Sequence, residues 1–259
     1  MTESLRLPQG TPCWVSLMAH DLDAARAYYA ALLGWEFHRG PGRLGPYVRA
    51  TVDGLFVAGI GQVDDSVGFP VDWITYFAVD SADEVAGRVR DCGGTVALGP
   101  IDSADDAGRL VVAADPAGAV FGLWEPRAHY GWQLRRAPGS VVWSELRTPS
   151  PLNAADFYAK TFGLAAVHAG RAEIGRDDGA MLLRYGGHRV AGIRETGPGD
   201  PRPRWRVYFA VADLEVSVKT ALALGGSLEE TPPPARYGAA AFLRDPQGGP
   251  FALVRLSEP

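Results

Sequence analysis

The chain has 259 residues, 47% hydrophobic and 21% charged, with a formal charge of −5. That composition suits a globular protein of two domains of about 125 residues each, and the negative balance gives no electrostatic case for nucleic acid. No apolar run approaches the roughly 18 residues of a membrane span, and residues 1–10 lack a signal-peptide core. Cys13 and Cys92 are isolated, so they are expected to be reduced thiols in a cytoplasmic protein. Lysine occurs only at Lys160 and Lys219 in an arginine-, alanine- and glycine-rich chain, a skew that points to a GC-rich, actinobacterial genome.

Residues 12–19 alternate as a strand with two different buried faces: Trp14, Ser16 and Met18 on one, Val15, Leu17 and Ala19 on the other. Asp21 then caps a helix whose Leu22, Ala25, Tyr28, Tyr29 and Leu32 follow helical spacing, and Gly34 ends it. Three short strands are predicted near 35–39, 46–52 and 55–61. After a loop over 62–72 the pattern restarts with a strand at 73–79 and a helix opened by the capping box Ser81-Ala82-Asp83-Glu84, which stops at Gly93-Gly94. Strands near 95–101, 108–114 and 119–125 follow, the last two joined by Asp115-Pro116-Ala117-Gly118, a type I turn sequence. The unit is β-α-β-β-β, and it occurs twice before a linker over 126–139.

The remaining residues repeat this plan. Ser150 caps a helix with Pro151 in its first turn, and strands are expected near 164–168, 180–185 and 189–194. A Pro/Gly-rich loop over 196–204 precedes a strand at 205–211. Asp213 caps the next helix, Gly225-Gly226 ends it, and strands near 227–231, 238–244 and 249–255 complete the pattern. Trp14 and Trp143 stand 129 positions apart, as do Gly34 and Gly163. Tyr76-Phe77-Ala78-Val79 recurs as Tyr208-Phe209-Ala210-Val211, and Asp115-Pro116-Ala117-Gly118 as Asp245-Pro246-Gln247-Gly248. So long a period means a duplicated domain rather than a solenoid.

Four tandem β-α-β-β-β units carrying these motifs resemble the vicinal oxygen chelate superfamily of glyoxalases, bleomycin-resistance proteins and extradiol dioxygenases. The likeness is greatest to its tandem two-domain, actinobacterial glyoxalase-like subgroup, sometimes labelled hydroxylase or 27-kDa antigen. It implies an α+β fold of two vicinal-oxygen-chelate domains with cupped mixed sheets. Their expected bounds are 8–126 (modules 8–61 and 72–126) and 139–257 (modules 139–195 and 204–257). In metal-dependent members each cup holds a divalent ion on His, His and Glu. At the matching positions this chain has Trp14, Ile74 and Gly122 in the first half, and Trp143, Arg206 and Ala252 in the second. None of these side chains is a ligand for a divalent metal. The histidines offer no replacement: His20, His38, His129 and His168 fall at strand or loop ends, and only His188 borders a cup. The expectation is therefore no metal and no cofactor.

Alternation assigns the cup faces. The first combines Trp14, Ser16 and Met18 with Ile74, Tyr76 and Ala78 and with Val120, Gly122 and Trp124. This apolar, aromatic surface suits a planar ligand, with Gly122 opening the floor; the other reading is that the aromatics pack together and close it. Arg109 either reaches this pocket or lies on its rim. The second face combines Trp143, Glu145 and Arg147 with Arg206, Tyr208 and Ala210 and with Pro250, Ala252 and Val254. Here Glu145 is a candidate acid or base, Tyr208 a hydrogen-bond donor to an oxyanion, and Arg206 an anchor for a ligand anion. The plainer alternative is a structural ion pair between Glu145 and Arg147 or Arg206. His188 is expected to be exposed, and the Gly-Gly pairs end helices rather than cradle phosphate.

Two functions remain in play. One is a binding protein that sequesters a hydrophobic aromatic metabolite or antibiotic. The other is a metal-free enzyme of secondary metabolism using Glu145, Tyr208 and Arg206. A metal-dependent glyoxalase or dioxygenase is disfavoured at all six ligand positions. No nucleic-acid or membrane partner is expected, and the duplication allows either a monomer with an internal pseudo-dimer or a homodimer.

Overall fold

The computed structural model describes residues 6–164, 172–177, 180–185, 188–197, 202–231 and 238–255. His168 and most of the strand expected near 164–168 lie outside these residues. The first module comprises β1 (Pro12–Ala19), α1 (Leu22–Leu33), β2 (Glu36–Arg39), β3 (Tyr47–Val52) and β4 (Leu55–Gln62). The second is β5 (Asp72–Ala78), α2 (Ala82–Asp91), β6 (Thr95–Asp102), β7 (Gly108–Ala114) and β8 (Val120–Pro126). The third contains β9 (Val141–Thr148), α3 (Pro151–Phe162), β10 (Ala172–Asp177), β11 (Ala180–Tyr185) and β12 (His188–Glu195). The fourth contains β13 (Arg204–Val211), α4 (Leu214–Ala223), β14 (Ser227–Glu230), β15 (Ala239–Arg244) and β16 (Pro250–Arg255). The fold is α+β, built from four β-α-β-β-β modules.

The helix ends follow local chemistry. The Asp21, Ser81 and Asp213 side chains accept from the backbone N–H groups of Ala24, Glu84 and Val216, satisfying donors the first turn leaves open. Gly34 and Gly163 close α1 and α3 in the left-handed conformation, at φ 70° and 67°. Ser150 occupies the N-cap position of α3, but its side chain makes no cap bond; Pro151 opens that helix instead.

Strand order is β2-β3-β4-β1-β5-β8-β7-β6 in one sheet and β10-β11-β12-β9-β13-β16-β15-β14 in the other. The first and last strands of each module run parallel and the others pair antiparallel. Such mixed sheets follow from the helical crossover after the first strand, which allows a parallel return, while hairpins force antiparallel pairs.

The chain divides into two compact units, and each draws on both halves of the repeat. One contains Trp14–Ile74, Trp132–Val142 and the stretch from Arg206 onward. Its core joins Val15, Leu17, Tyr29, Trp35 and Trp73 of the first half to Val207, Phe209, Phe251 and Leu253 of the second. Tyr29 stacks on Trp35 at 5.5 Å and meets Trp73 edge-on at 5.4 Å. The other unit contains Thr75–Gly131 and Trp143–Trp205. Its core unites Phe77, Val85, Val89, Phe121 and Leu123 with Leu146, Phe157, Tyr158, Phe162 and Trp205.

A polar chain runs through each core. In the first, Trp73 Nε1 donates to Tyr29 Oη at 3.1 Å, and that hydroxyl donates to Asp245 Oδ2 at 3.0 Å. In the second, Trp205 Nε1 donates to Tyr158 Oη at 2.9 Å, which donates to Asp115 Oδ2 at 3.3 Å. The other oxygen of each carboxylate holds its own hairpin, accepting from Gln247 and Gly249 N–H or from Ala117 and Ala119 N–H. The Asp of Asp-Pro-x-Gly is thus both a turn residue and the link from one half's hairpin to the other half's helix.

Burial pushes the phenols of Tyr29 and Tyr158 well above their ordinary value of 10, and the adjacent aspartates push the same way. Burial also raises Tyr28 and Tyr47. A folded-state pKa above the unfolded one gives stability that is complete below the unfolded value and lost as pH rises beyond it. Each such phenol should therefore remove about 1.4 kcal/mol per pH unit above about pH 10. Urea unfolding at pH 8 and pH 11 checks this: the midpoint should fall sharply at pH 11, and Tyr29→Phe should blunt the fall.

Candidate functional site

Alternation places the expected faces as read. In β1 and β9, Val15, Leu17 and Leu146 enter the cores, so Trp14, Ser16, Met18, Trp143, Glu145 and Arg147 stand on the opposite faces. In β5, β8 and β13 the core takes Phe77, Leu123 and Phe209, leaving Tyr76, Trp124 and Tyr208 on the far side.

The β1 face is organised by a residue not anticipated from sequence. The Tyr47 hydroxyl accepts from Trp14 Nε1 at 2.9 Å and shares a hydrogen bond with Ser16 Oγ at 2.8 Å. Its ring lies over β4, where a Cβ at Gly59 would fall on the phenol oxygen and one at Gly61 would crowd both Tyr47 and Met18. Two glycines at alternate positions of one strand signal close approach of another group, and that was the available clue. Trp14 is buried, and its only polar atom is already donated. Ile74, at the start of β5, is also buried.

On β5 and β8, Tyr76 pairs in register with Gly122, and the tyrosine ring fills the place a Gly122 side chain would take. Gly122 therefore makes room for Tyr76 rather than opening a floor. The Trp124 indole donates to the His129 carbonyl at 2.7 Å, with Gly108 beneath the ring. Arg109 lies on the other side of β7 from Gly108 and Leu110. It is ion-paired with Asp83 at the start of α2 (2.9 Å) and with Asp102 (3.3 Å). Alternation thus directs it to the helix side, away from Trp124.

Charge is concentrated on the β9–β12 face. Glu145 is only 1% exposed, and its two oxygens meet Arg147 Nε at 2.9 Å and Arg194 Nε at 3.0 Å. Arg194 was not singled out from sequence; its position opposite Arg147 in the parallel β9–β12 register reveals it. Arg206, on β13, pairs with Glu229 at 3.0 Å and lies 4.1 Å over the Phe242 ring. Glu229 also holds Arg244 at 2.6 Å. Tyr208 is fully buried, edge-on to Phe242 at 5.9 Å and in register with Ala252. His188 is exposed at the start of β12.

A divalent ion does not fit the six positions where the resemblance puts its ligands. They present two indoles, a guanidinium stacked on a phenyl ring, and Ile, Gly and Ala. Among the described residues, no three His, Cys, Asp or Glu side chains cluster as a metal site requires. No helix among them is long and apolar enough to cross a membrane.

The paired modules, the repeated hairpins and the comparison with family models agree on the class. The chain belongs to the glyoxalase-like family of the vicinal oxygen chelate superfamily, with the glyoxalase-like domain matching residues 14–124 and 142–254. Among its relatives is the anthracycline biosynthesis protein DnrV of Streptomyces peucetius, 37% identical over 98% of this chain and 96% of that protein. The putative glyoxylase CFP32 of Mycobacterium bovis is 38% identical over 95% of each chain. Among solved structures, the Mn(II)-bound glyoxalase from Novosphingobium aromaticivorans superposes with a TM-score of 0.63 at 18% identity, covering 96% of this chain and 85% of that one. The 2,3-dioxygenase LapB from Pseudomonas sp. KL28 does so at 0.62 and 14% identity, covering 98% and 95%. At these identities the two structures share the fold with this chain.

Proposed function

We propose that this protein acts without a metal and binds a hydrophobic aromatic small molecule, a natural product or antibiotic, for sequestration or resistance. The observation that carries this reading is the donor set. At all six positions where metal-dependent relatives place ligands, this chain has indole, guanidinium, alkyl or hydrogen side chains, so the faces offer stacking and shape in place of coordination. The name of one relative supports the ligand class, because an anthracycline is a fused-ring aromatic.

A second reading is favoured by one feature. Glu145 is a buried carboxylate gripped by two arginines, and the relatives called biosynthesis proteins make a metal-free tailoring step, with Glu145, Arg206 and Tyr208 as candidate groups, the natural alternative. The two separate on one variant. With sequestration, Glu145→Gln should alter protection of a sensitive host only as far as it alters the affinity for a tetracyclic anthraquinone. With catalysis it should abolish turnover while binding survives. Metal analysis of protein purified from its own host tests the shared premise: stoichiometric Mn, Fe, Ni or Zn would refute both.

A further inference from the structure

We infer that the β9–β12 face holds an anion-binding site in which Arg147 and Arg194, positioned by Glu145, take the carboxylate or phenolate of an aromatic ligand. The inference rests on the binding reading above and narrows its ligand to an aromatic organic anion.

The geometry is specific. Parallel register sets Gly192 opposite Glu145 and Arg194 opposite Arg147. Glu145 Oε2 accepts from Arg194 Nε at 3.0 Å, and Oε1 lies 2.9 Å from Arg147 Nε in an ion pair. The carboxylate is buried, whereas the Arg147 and Arg194 side chains keep 19% and 31% of their exposure. Glu145 therefore fixes two forked cations from below while their side chains still reach solvent. Fixed guanidinium forks suit planar oxyanions, which they bind through paired N–H groups. Trp143 adjoins them: a Cβ at Gly192 would lie 3.1 Å from its indole and 3.4 Å from Glu145. An aromatic wall and an anion clamp thus share one face.

The first half of the chain is an internal control. There the same parallel register sets Gly59 opposite Ser16 and Gly61 opposite Met18. Small and apolar residues occupy the places of Glu145, Arg147 and Arg194, and Tyr47 fills the space above them. Ala180, just before the Met181–Ile193 pair, stands where the first copy has Tyr47. The module therefore folds without an ion cluster on this face. Burying one is costly and often no better for stability than an apolar replacement, so a role in ligand recognition explains the second copy's departure.

The test uses the full chain, with tryptophan quenching or calorimetry as the readout. The probes are 2-naphthoate, its methyl ester, and a nitronaphthol ionised at pH 8. Naphthoate should bind at least tenfold more tightly than the ester. Arg147→Gln and Arg194→Gln should each weaken naphthoate about tenfold and leave the ester unchanged, and the double variant should erase the preference. Preference for the ionised nitronaphthol over naphthoate would assign the anion as a phenolate, and the reverse as a carboxylate; either supports the site. Arg194→Lys keeps the charge and loses the fork, so a several-fold loss for naphthoate is expected even if the glutamine variants fail to fold. Equal binding of acid and ester by the wild type, or a preference that survives the double variant, overturns the site. If the ester binds as well as the acid, the aromatic-binding reading stands alone. If neither binds, both fall.

Discussion

Replacing Asp245 with alanine should destabilise the protein by about 3–5 kcal/mol, since it strands three buried or half-buried donors at roughly 1–3 kcal/mol each, less whatever water recovers. Those donors are the Gln247 and Gly249 amides, which Oδ1 accepts, and the Tyr29 hydroxyl, which Oδ2 accepts. Asp115→Ala should behave alike, freeing Ala117, Ala119 and Tyr158. Asparagine is the informative second variant. It keeps one acceptor oxygen for the turn and turns an amide donor toward the tyrosine, so about half the loss should return. Burial raises the pKa of both aspartates. Their contribution is therefore complete below the usual carboxylate range and declines as pH rises through their raised values, opposite to a carboxylate stabilised by an ion pair. The alanine variants should accordingly lose less at pH 7 than at pH 4.5. Equal losses at both values, measured by urea denaturation, would show that the two carboxyls titrate normally.

Trp205→Ala should cost about 3–5 kcal/mol, the usual range for deleting a large buried aromatic. Its indole is 1% exposed, meets Phe77 at 5.0 Å and Tyr158 at 5.4 Å, and donates to the Tyr158 hydroxyl. Trp205→Phe retains most of the packing and loses the N–H donor, so a smaller loss of about 1–2 kcal/mol is expected. Trp73 occupies the corresponding place in the other unit, between Tyr29, Trp35 and Phe209, and should respond similarly. Calorimetry is the measurement. A melting temperature within a degree or two of wild type for either alanine variant would remove these tryptophans from the list of core residues.

The strand and helix pattern was legible because period-two alternation and capping residues are local properties. Trp14, Ser16 and Met18 could be assigned to one face, and Asp21, Ser81 and Asp213 to helix starts, from neighbours in sequence alone. What escaped notice depends on residues far apart in the chain. Tyr47 reaches back to Trp14 and Ser16 across β4, and Arg194 meets Glu145 only because β12 returns parallel to β9. Gly122 shows the limit of reasoning by subtraction. A missing side chain marks space, but Tyr76 occupies that space. Arg109 is ambiguous because it sits near a strand end, and Asp83 on the preceding helix α2 settles its direction. The tyrosine–aspartate links were half visible: Tyr29, Tyr158, Asp115 and Asp245 all stand in repeated motifs, yet nothing local says that each hairpin serves the opposite half.

Because every hydrophobic interior here borrows a module from each side of the linker, a half-length forebear would have needed a twin chain to bury Tyr29 and Phe209 together. Duplication with a tether turned that encounter from a bimolecular event, governed by concentration, into an intramolecular one. It also frees the two copies from identity: they need not be interchangeable, and one carries a phenol and a serine where the other carries alanine and glutamate.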